Sequence, residues 1–421
     1  MSQESSKPLD IVVFGATSFV GKILSRYLAS EYGVDGPVKW AIAGRSQSKL
    51  QALRSELAPV LGERVDTLLT IVADAGRESE LKAMVAQAKV VVSTVGPYAL
   101  YGEPLVKVCV EQGVDYCDLT GEAQWIKRML ANYEAQAKQT GARIVHCCGF
   151  DSVPSDMGVY FLQQQAQKSF GKTLPRVKMR VKAAKGGMSG GTVASIINLT
   201  KEAIADPSLR KQLANPFSLC PKEAGFSQRQ PNLKGAKFDA DFGRWSAPFI
   251  MAAINTRIVH RSNALQQNRY GDGFIYDETM LVGKGLKGRM TASTIVAVLG
   301  GFMMGAAVKP TRWALERFVL PKPGEGPSER EQREGFYDIR FLGEDESGHS
   351  MMVKLTGDQD PGYGSTAKIL GQAAISLAHD HHEQDKKCGR DGGFWTPASI
   401  FDERYIARLE QHAGLSFEVI D

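Results

Sequence analysis

The chain has 421 residues, 43% of them hydrophobic and 23% charged. That length exceeds what one ordinary core serves, so two or three domains are expected, and the balance excludes a disordered chain. A formal charge of +5, from 51 basic and 46 acidic residues without a basic run, excludes nucleic acid as a partner.

Cys109, Cys117, Cys147, Cys148, Cys220 and Cys388 form no CxxC pair and no regular framework. Reduced thiols are expected. The opening MSQESSKPLD is polar and leads straight into a strand, which is not the pattern of a secretory leader. A cytoplasmic location is therefore expected, with the Asn198-Leu199-Thr200 sequon unglycosylated.

Apolar runs at 11–14, 40–43, 68–73, 90–94, 115–119 and 143–148 read as six strands. Between the first two, Val20, Ile23, Leu24, Tyr27 and Leu28 recur at spacings of three and four, one face of a helix. Further helices fall near 46–57, 81–88, 104–112 and 125–140, with Pro104 suited to a first helical position. This alternation predicts an α/β fold: an N-terminal Rossmann domain, a doubly wound parallel sheet, followed by a second α+β domain.

The turn after the first strand is Gly15-Ala16-Thr17-Ser18-Phe19-Val20-Gly21. A dinucleotide needs a tight bend there, so that free N–H groups and the positive helix end meet its diphosphate. Gly15 supplies the bend and Gly21 lets the helix lie close to the strand. Ser18 stands where the usual fingerprint has its middle glycine. Its hydroxyl is expected either to donate to phosphate or to narrow the approach.

The second strand ends Gly44-Arg45-Ser46, with no acid at its tip to hold a ribose 2′-hydroxyl. A guanidinium there suits a 2′-phosphate, so NADP(H) is expected rather than NAD(H). Ser46 either adds a hydrogen bond or caps the next helix. Asp74, after the third strand, is either an adenine contact or a surface-turn residue.

The fourth strand ends Thr94-Val95-Gly96-Pro97-Tyr98. This loop is expected to pass beneath the nicotinamide ribose, with Tyr98 and Tyr101 near the reacting ring. The loops carrying Asp118, Thr120 and Glu122, and then Asp151 and Ser152, are expected to join it at the carboxyl ends of the strands. Asp118, Thr120 and Asp151 alternatively cap the following helices. His146 reads as a core or supporting residue.

The segments GATSFVG (15–21), AGRS (43–46), TVGPYALYGEPLVKVC (94–109), DYCDLTGE (115–122) and GFDSVPSDMG (149–158) occur together with GGMSGGT (186–192), DPGYGSTAKILGQAA (360–374) and GGFWTPA (392–398). In this combination the chain resembles the saccharopine dehydrogenase-like oxidoreductases, with a pattern similar to the trans-acting enoyl reductases of mycobacterial-type lipid synthesis. The resemblance implies an NADP-linked oxidoreductase connected with glycolipid or long-chain polyketide products. The basic clusters that hold amino-acid carboxylates in true saccharopine dehydrogenases are not evident near these loops.

The resulting division is 1–155 for the nucleotide domain, 156–358 for a substrate and dimerisation domain, and 359–421 for C-terminal helices packing back. In the second domain, residues 176–183 alternate basic and apolar side chains as a strand with an exposed face. The glycine-rich 186–192 opens a helix, and Ser189 and Thr192 are either substrate contacts or turn and cap residues. Residues 231–245 read as a mobile loop, and 336–342 with 350–355 as paired strands. The stretch 291–308, TASTIVAVLGGFMMGAAV, carries no charge and has basic flanks. It is read three ways: a buried or dimer-forming segment, a surface docking on membrane or on a lipid substrate, or a membrane span. The run His379-Asp380-His381-His382-Glu383 is not expected to bind a metal, because adjacent helical histidines point in different directions.

The chemistry expected is reduction of a carbon–carbon double bond conjugated to a carbonyl, in a hydrophobic, lipid-like substrate. Tyr98 is the candidate proton donor, and Thr120 or Ser152 the candidate polarising group. The alternatives are a carbonyl or imine reductase, and a catalytically silent NADP-binding scaffold or redox sensor.

Overall fold

The computed structural model describes residues 7–187, 190–314, 326–380 and 391–420, and it divides into two compact units. The first comprises residues up to Gly149, with Tyr363–Trp395 and Ile400–Ala413. Its strands are β1 (Leu9–Phe14), β2 (Trp40–Gly44), β3 (Leu69–Val72), β4 (Ala88–Ser93), β5 (Asp115–Asp118) and β6 (Arg143–Val145). A seventh, Gly393–Trp395, completes the order Gly393–Trp395, β6, β5, β4, β1, β2, β3, and every pairing is parallel. The α/β Rossmann expectation holds, with one strand more than the six predicted. Three residues of GGFWTPA are too short to show a period of two, and only pairing with β6 makes them a strand.

β1 and β2 are buried along their full length, as parallel strands covered on both faces must be. Strand order reverses where β1 lies between β4 and β2. That is the topological switch point, the place in an open parallel sheet where a ligand sits beyond the carboxyl ends.

The second unit holds Phe150–Gly362, Thr396–Ser399 and Gly414–Asp421. Its strands are β7 (Arg176–Lys185), β8 (Lys237–Asp239), β9 (Arg244–Pro248), β10 (Ile275–Leu281), β11 (Phe336–Glu344) and β12 (Ser350–Gly357). With Leu415–Ile420 they form a mixed sheet in the order Leu415–Ile420, β12, β11, β7, β10, β9, β8. Only β7 and β10 pair in parallel; the other neighbours run antiparallel. The helix Val153–Phe170 lies on this sheet so closely that a side chain at Gly158 would meet the Phe341 ring at 2.3 Å.

That packing moves the domain boundary. The helix belongs wholly to the second unit, so the division falls after Gly149 rather than at 155. Residues 359–421 are not one helical layer either. Helices Thr366–His379 and Glu403–His412 join the first unit, and Leu415–Ile420 extends the second sheet.

Two local expectations also change. Lys178 and Arg180 of β7 are buried rather than exposed. Residues 237–248 are not loop but the β8–β9 hairpin, from which Asp239 meets Arg180 Nε at 2.6 Å, and Asp241, in its turn, meets Lys178 Nζ at 2.5 Å. Asp277 and Glu344 complete the neutralisation, which is what makes burial of two cations tolerable. Ser189 and residues 381–388, including the His-rich run and Cys388, lie outside the described residues, as does the side chain of Thr192.

Candidate dinucleotide-binding site

β1 ends in a bend at Gly15 with φ +83°, a left-handed conformation that glycine enters without cost. A side chain there would also strike Val95 Cγ2 at 2.6 Å and Thr94 Oγ1 at 2.9 Å. The helix Phe19–Tyr32 then starts against the strand, and a Cβ at Gly21 would come within 2.2 Å of the Gly15 carbonyl oxygen. Both glycines thus do what the sequence motif requires of them.

Ser18 is the helix N-cap: its Oγ accepts from Gly21 N at 3.0 Å. The same oxygen lies 3.0 Å from Thr94 Oγ1, which in turn donates to the Gly15 carbonyl at 2.9 Å. The Ser18 hydroxyl is therefore spent on the turn and on the β4 loop, rather than offered to a phosphate. Among the described residues, the N–H groups of Thr17, Phe19 and Val20 have no acceptor within the chain. Unpaired donors at the positive end of a helix are the elements of an anion site. The half-buried Phe19 ring packs edge-on against Tyr363 at 5.1 Å.

At the end of β2, Gly44 lies beside this turn, its side-chain direction 3.8 Å from Thr17 Oγ1. Arg45 follows, exposed, with neither hydrogen bond nor ion pair among the described residues. Ser46 caps the helix Gln47–Leu61, accepting from Lys49 N at 3.4 Å. Asp74 folds back on its own turn: Oδ1 accepts from Gly76 N at 2.8 Å and its N–H donates to Glu80. The structure thus gives Ser46 and Asp74 local turn contacts and leaves a free guanidinium at the β2 tip.

The β4 loop contains a cis Gly96–Pro97 peptide. Gly96 is exposed, and a Cβ there would make only ordinary contact, 3.6 Å from the Tyr98 ring. The residue that anchors this loop is Glu122, whose part the sequence reading missed. Its buried carboxylate accepts from Tyr98 N and Ala99 N, each at 2.9 Å, at the start of the short helix Tyr98–Tyr101. The signal available was an acid close after Thr120-Gly121, but nothing in the sequence pairs it with residues 24 positions earlier.

The three hydroxyls proposed for catalysis are all buried and already bonded. Tyr98 donates to the Ser93 carbonyl at 2.8 Å, packs on Trp125, and burial pushes its hydroxyl well above the usual phenol range. Thr120 Oγ1 accepts from Glu122 N at 3.2 Å. Ser152 donates to Asn255 Oδ1 at 3.1 Å inside the second unit. The hydroxyl protons of Tyr98 and Ser152 are thus spent within the chain, whereas Thr120 Oγ1 is engaged as an acceptor.

Asp118 joins the β5 and β6 loops instead of capping a helix. It accepts from Tyr116 Oη, Thr120 N and Cys147 N at 3.0 to 3.2 Å, and lies 2.7 Å from His146 Nδ1. The His146 ring is enclosed by Trp125 and Phe394, a core position. Asp151 differs from all of these. Half-buried two residues beyond Gly149, it has no hydrogen bond or ion pair among the described residues, and desolvation raises its carboxyl to about 6.

In the second unit, Ser152 leads into a buried polar network. Asn255 Nδ2 reaches Ser155 Oγ at 3.1 Å and Glu278 Oε2 at 2.9 Å, while Tyr276 donates to Glu278 Oε1 at 2.8 Å. Asp156 accepts from Ser262 Oγ and Ala398 N, both at 2.8 Å. Burial raises both carboxyls, Asp156 and Glu278, to about 7. Among the described residues, no group of His, Cys, Asp and Glu is arranged to hold a metal ion.

Residues 11–145 match the family model described as the saccharopine dehydrogenase NADP binding domain. Over 425 residues the chain is 40% identical to a Mycobacterium tuberculosis (strain H37Rv) protein provisionally named a trans-acting enoyl reductase, covering 98% of this chain and 97% of that one. A Mycobacterium ulcerans protein named trans-acting enoyl reductase is 34% identical over 418 residues, 97% of each chain. Among solved structures, saccharopine dehydrogenase (L-Glu forming) from Saccharomyces cerevisiae superposes with a TM-score of 0.52 at 12% identity, covering 98% of this chain and 100% of that one. At that identity the likeness is one of fold.

Proposed function

This chain belongs to the saccharopine dehydrogenase-like family of NADP-binding oxidoreductases, and from that premise we propose that it is an enoyl reductase acting on a lipid-like precursor of glycolipid or polyketide type. The observation that carries the reading is likeness over the full length to proteins bearing that activity in their names, joined to a formed dinucleotide turn. The unpaired N–H groups of Thr17, Phe19 and Val20 hold the diphosphate, and Arg45 holds the 2′-phosphate.

When bound, NADPH supplies a hydride to the β-carbon of a double bond conjugated to a carbonyl. The chain's own part is to hold the cofactor and to deliver a proton to the α-carbon or the enolate oxygen.

The test is single-turnover reduction of an α,β-unsaturated thioester with NADPH deuterated at C4. Deuterium at the product's β-carbon is the expected result. No label in any product, despite tight NADPH binding, overturns the enzymatic reading. It would favour a catalytically silent NADP-binding scaffold, a second reading that the engagement of the Tyr98 and Ser152 hydroxyls supports.

A further inference from the structure

The uncharged stretch noted in the sequence lies in the helix Gly285–Ala307, within the second unit. This helix has two unlike faces. Gly288, Ala292, Ile295, Leu299, Phe302 and Ala306, spaced by four and three, are buried or half-buried against the unit. Leu286, Met290, Thr294, Ala297, Gly301 and Met304 recur at the same spacing on the opposite side, and each is exposed. Leu286 keeps 71% of its surface in solvent and Met304 73%. An exposed stripe of that length, roughly 27 Å at 1.5 Å per residue, is rare on a soluble surface and marks a docking face.

Charge decides the occupant. From Lys284 to Ala314 there is no acid, and the cations Lys284, Lys287, Arg289, Lys309 and Arg312 stand at the two ends. Lys284, Lys287 and Arg289 are exposed, and Trp313, 61% exposed, follows the far end. A second copy laid along the stripe would bring cations against cations whether it ran parallel or antiparallel. A lipid surface with anionic headgroups satisfies both ends at once, and takes the methionines, Leu286 and Trp313 into its boundary region. Gly288, Ala292 and Ala306 are buried against the unit, so part of the helix circumference is covered by protein that a span would have to release.

We propose that the face of Gly285–Ala307 built by Leu286, Met290, Ala297 and Met304 docks flat on an anionic membrane surface. The proposal does not depend on the reductase reading, because vesicle binding requires no turnover.

The experiment is co-sedimentation of the full chain with vesicles of phosphatidylcholine alone and of phosphatidylcholine mixed with phosphatidylglycerol. Expected is binding to the mixed vesicles that weakens at least about tenfold on pure phosphatidylcholine or at high salt. The double substitution Met290→Glu and Met304→Glu should abolish it, and Lys287→Glu with Arg289→Glu should weaken it at least about tenfold. All four positions are exposed, and NADPH binding reports that each variant is folded. No binding to either vesicle overturns the proposal. So does a dimer that Met304→Glu dissociates without any vesicle binding, which assigns the stripe to a second copy. Resistance to alkaline carbonate extraction from host membranes overturns it in favour of a span.

Discussion

The Ser18 and Thr94 hydroxyls lie 3.0 Å apart, 76 residues from one another in the chain. This one contact ties the dinucleotide turn to the β4 loop and explains how a serine occupies the position of the fingerprint's middle glycine. Turned aside to cap Gly21 N and meet Thr94, the side chain leaves the backbone donors of Thr17, Phe19 and Val20 uncovered. Ser18→Gly should then preserve NADPH affinity within a few-fold while lowering the melting temperature, because the cap contributes about 0.5–2 kcal/mol when its side chain is removed to alanine and less when replaced by glycine. Fluorescence titration and thermal denaturation of the two proteins check both halves.

Arg45 decides which phosphate is welcome. It is exposed and has no polar partner among the described residues, so removing it breaks none of their contacts. Arg45→Glu should weaken NADPH binding by at least about tenfold, equivalent to ~1.4 kcal/mol, with NADH affinity unchanged or improved. Calorimetric titration with both nucleotides measures the ratio. Equal losses for the two would remove Arg45 from the 2′-phosphate.

Two glycine-to-alanine changes should have opposite signs. At Gly21 the added carbon meets the Gly15 carbonyl oxygen at 2.2 Å, so Gly21→Ala should cost about 1–3 kcal/mol and abolish NADPH binding with it. At Gly300, within the helix Gly285–Ala307, nothing lies within 4 Å. Gly300→Ala should stabilise the protein by about 0.5–1 kcal/mol. Chemical denaturation curves give both numbers.

Tyr98 is tested by kinetics and stability together. Tyr98→Phe removes a buried hydrogen bond and should cost about 1 kcal/mol of stability while changing kcat by less than about threefold.

The buried carboxyls of the second unit set a stability profile. Asp156 and Glu278 both have folded values near 7, raised from an ordinary carboxylate by burial. A raised value means that the folded state holds the proton more tightly than the unfolded state. Their contribution is complete below about pH 4 and is lost as pH rises through about 7. The melting temperature of the second unit should therefore fall between about pH 5 and 8, and Asp156→Asn with Glu278→Gln should reduce that slope. A slope unchanged in the double variant would place the titration elsewhere.

The sequence by itself determined whatever depends on local spacing. The bend at Gly15, the close packing at Gly21, the absence of an acid beside Arg45 and the alternation of strands with amphipathic helices all act within a few residues, so periodicity and residue type reveal them. The charge-free run of 291–308 was equally plain. Tertiary structure decided which partner each polar group meets. Glu122 holds Tyr98 N, Ser18 turns to Thr94, Asp239 neutralises Arg180, and Gly393–Trp395 becomes a strand only by joining β6. These pairings close loops of tens to hundreds of residues, and a hydrogen bond across such a distance leaves no periodic trace. A tyrosine beside a nucleotide loop reads the same in sequence whether its hydroxyl faces a ligand or the Ser93 carbonyl; only the packed fold places it.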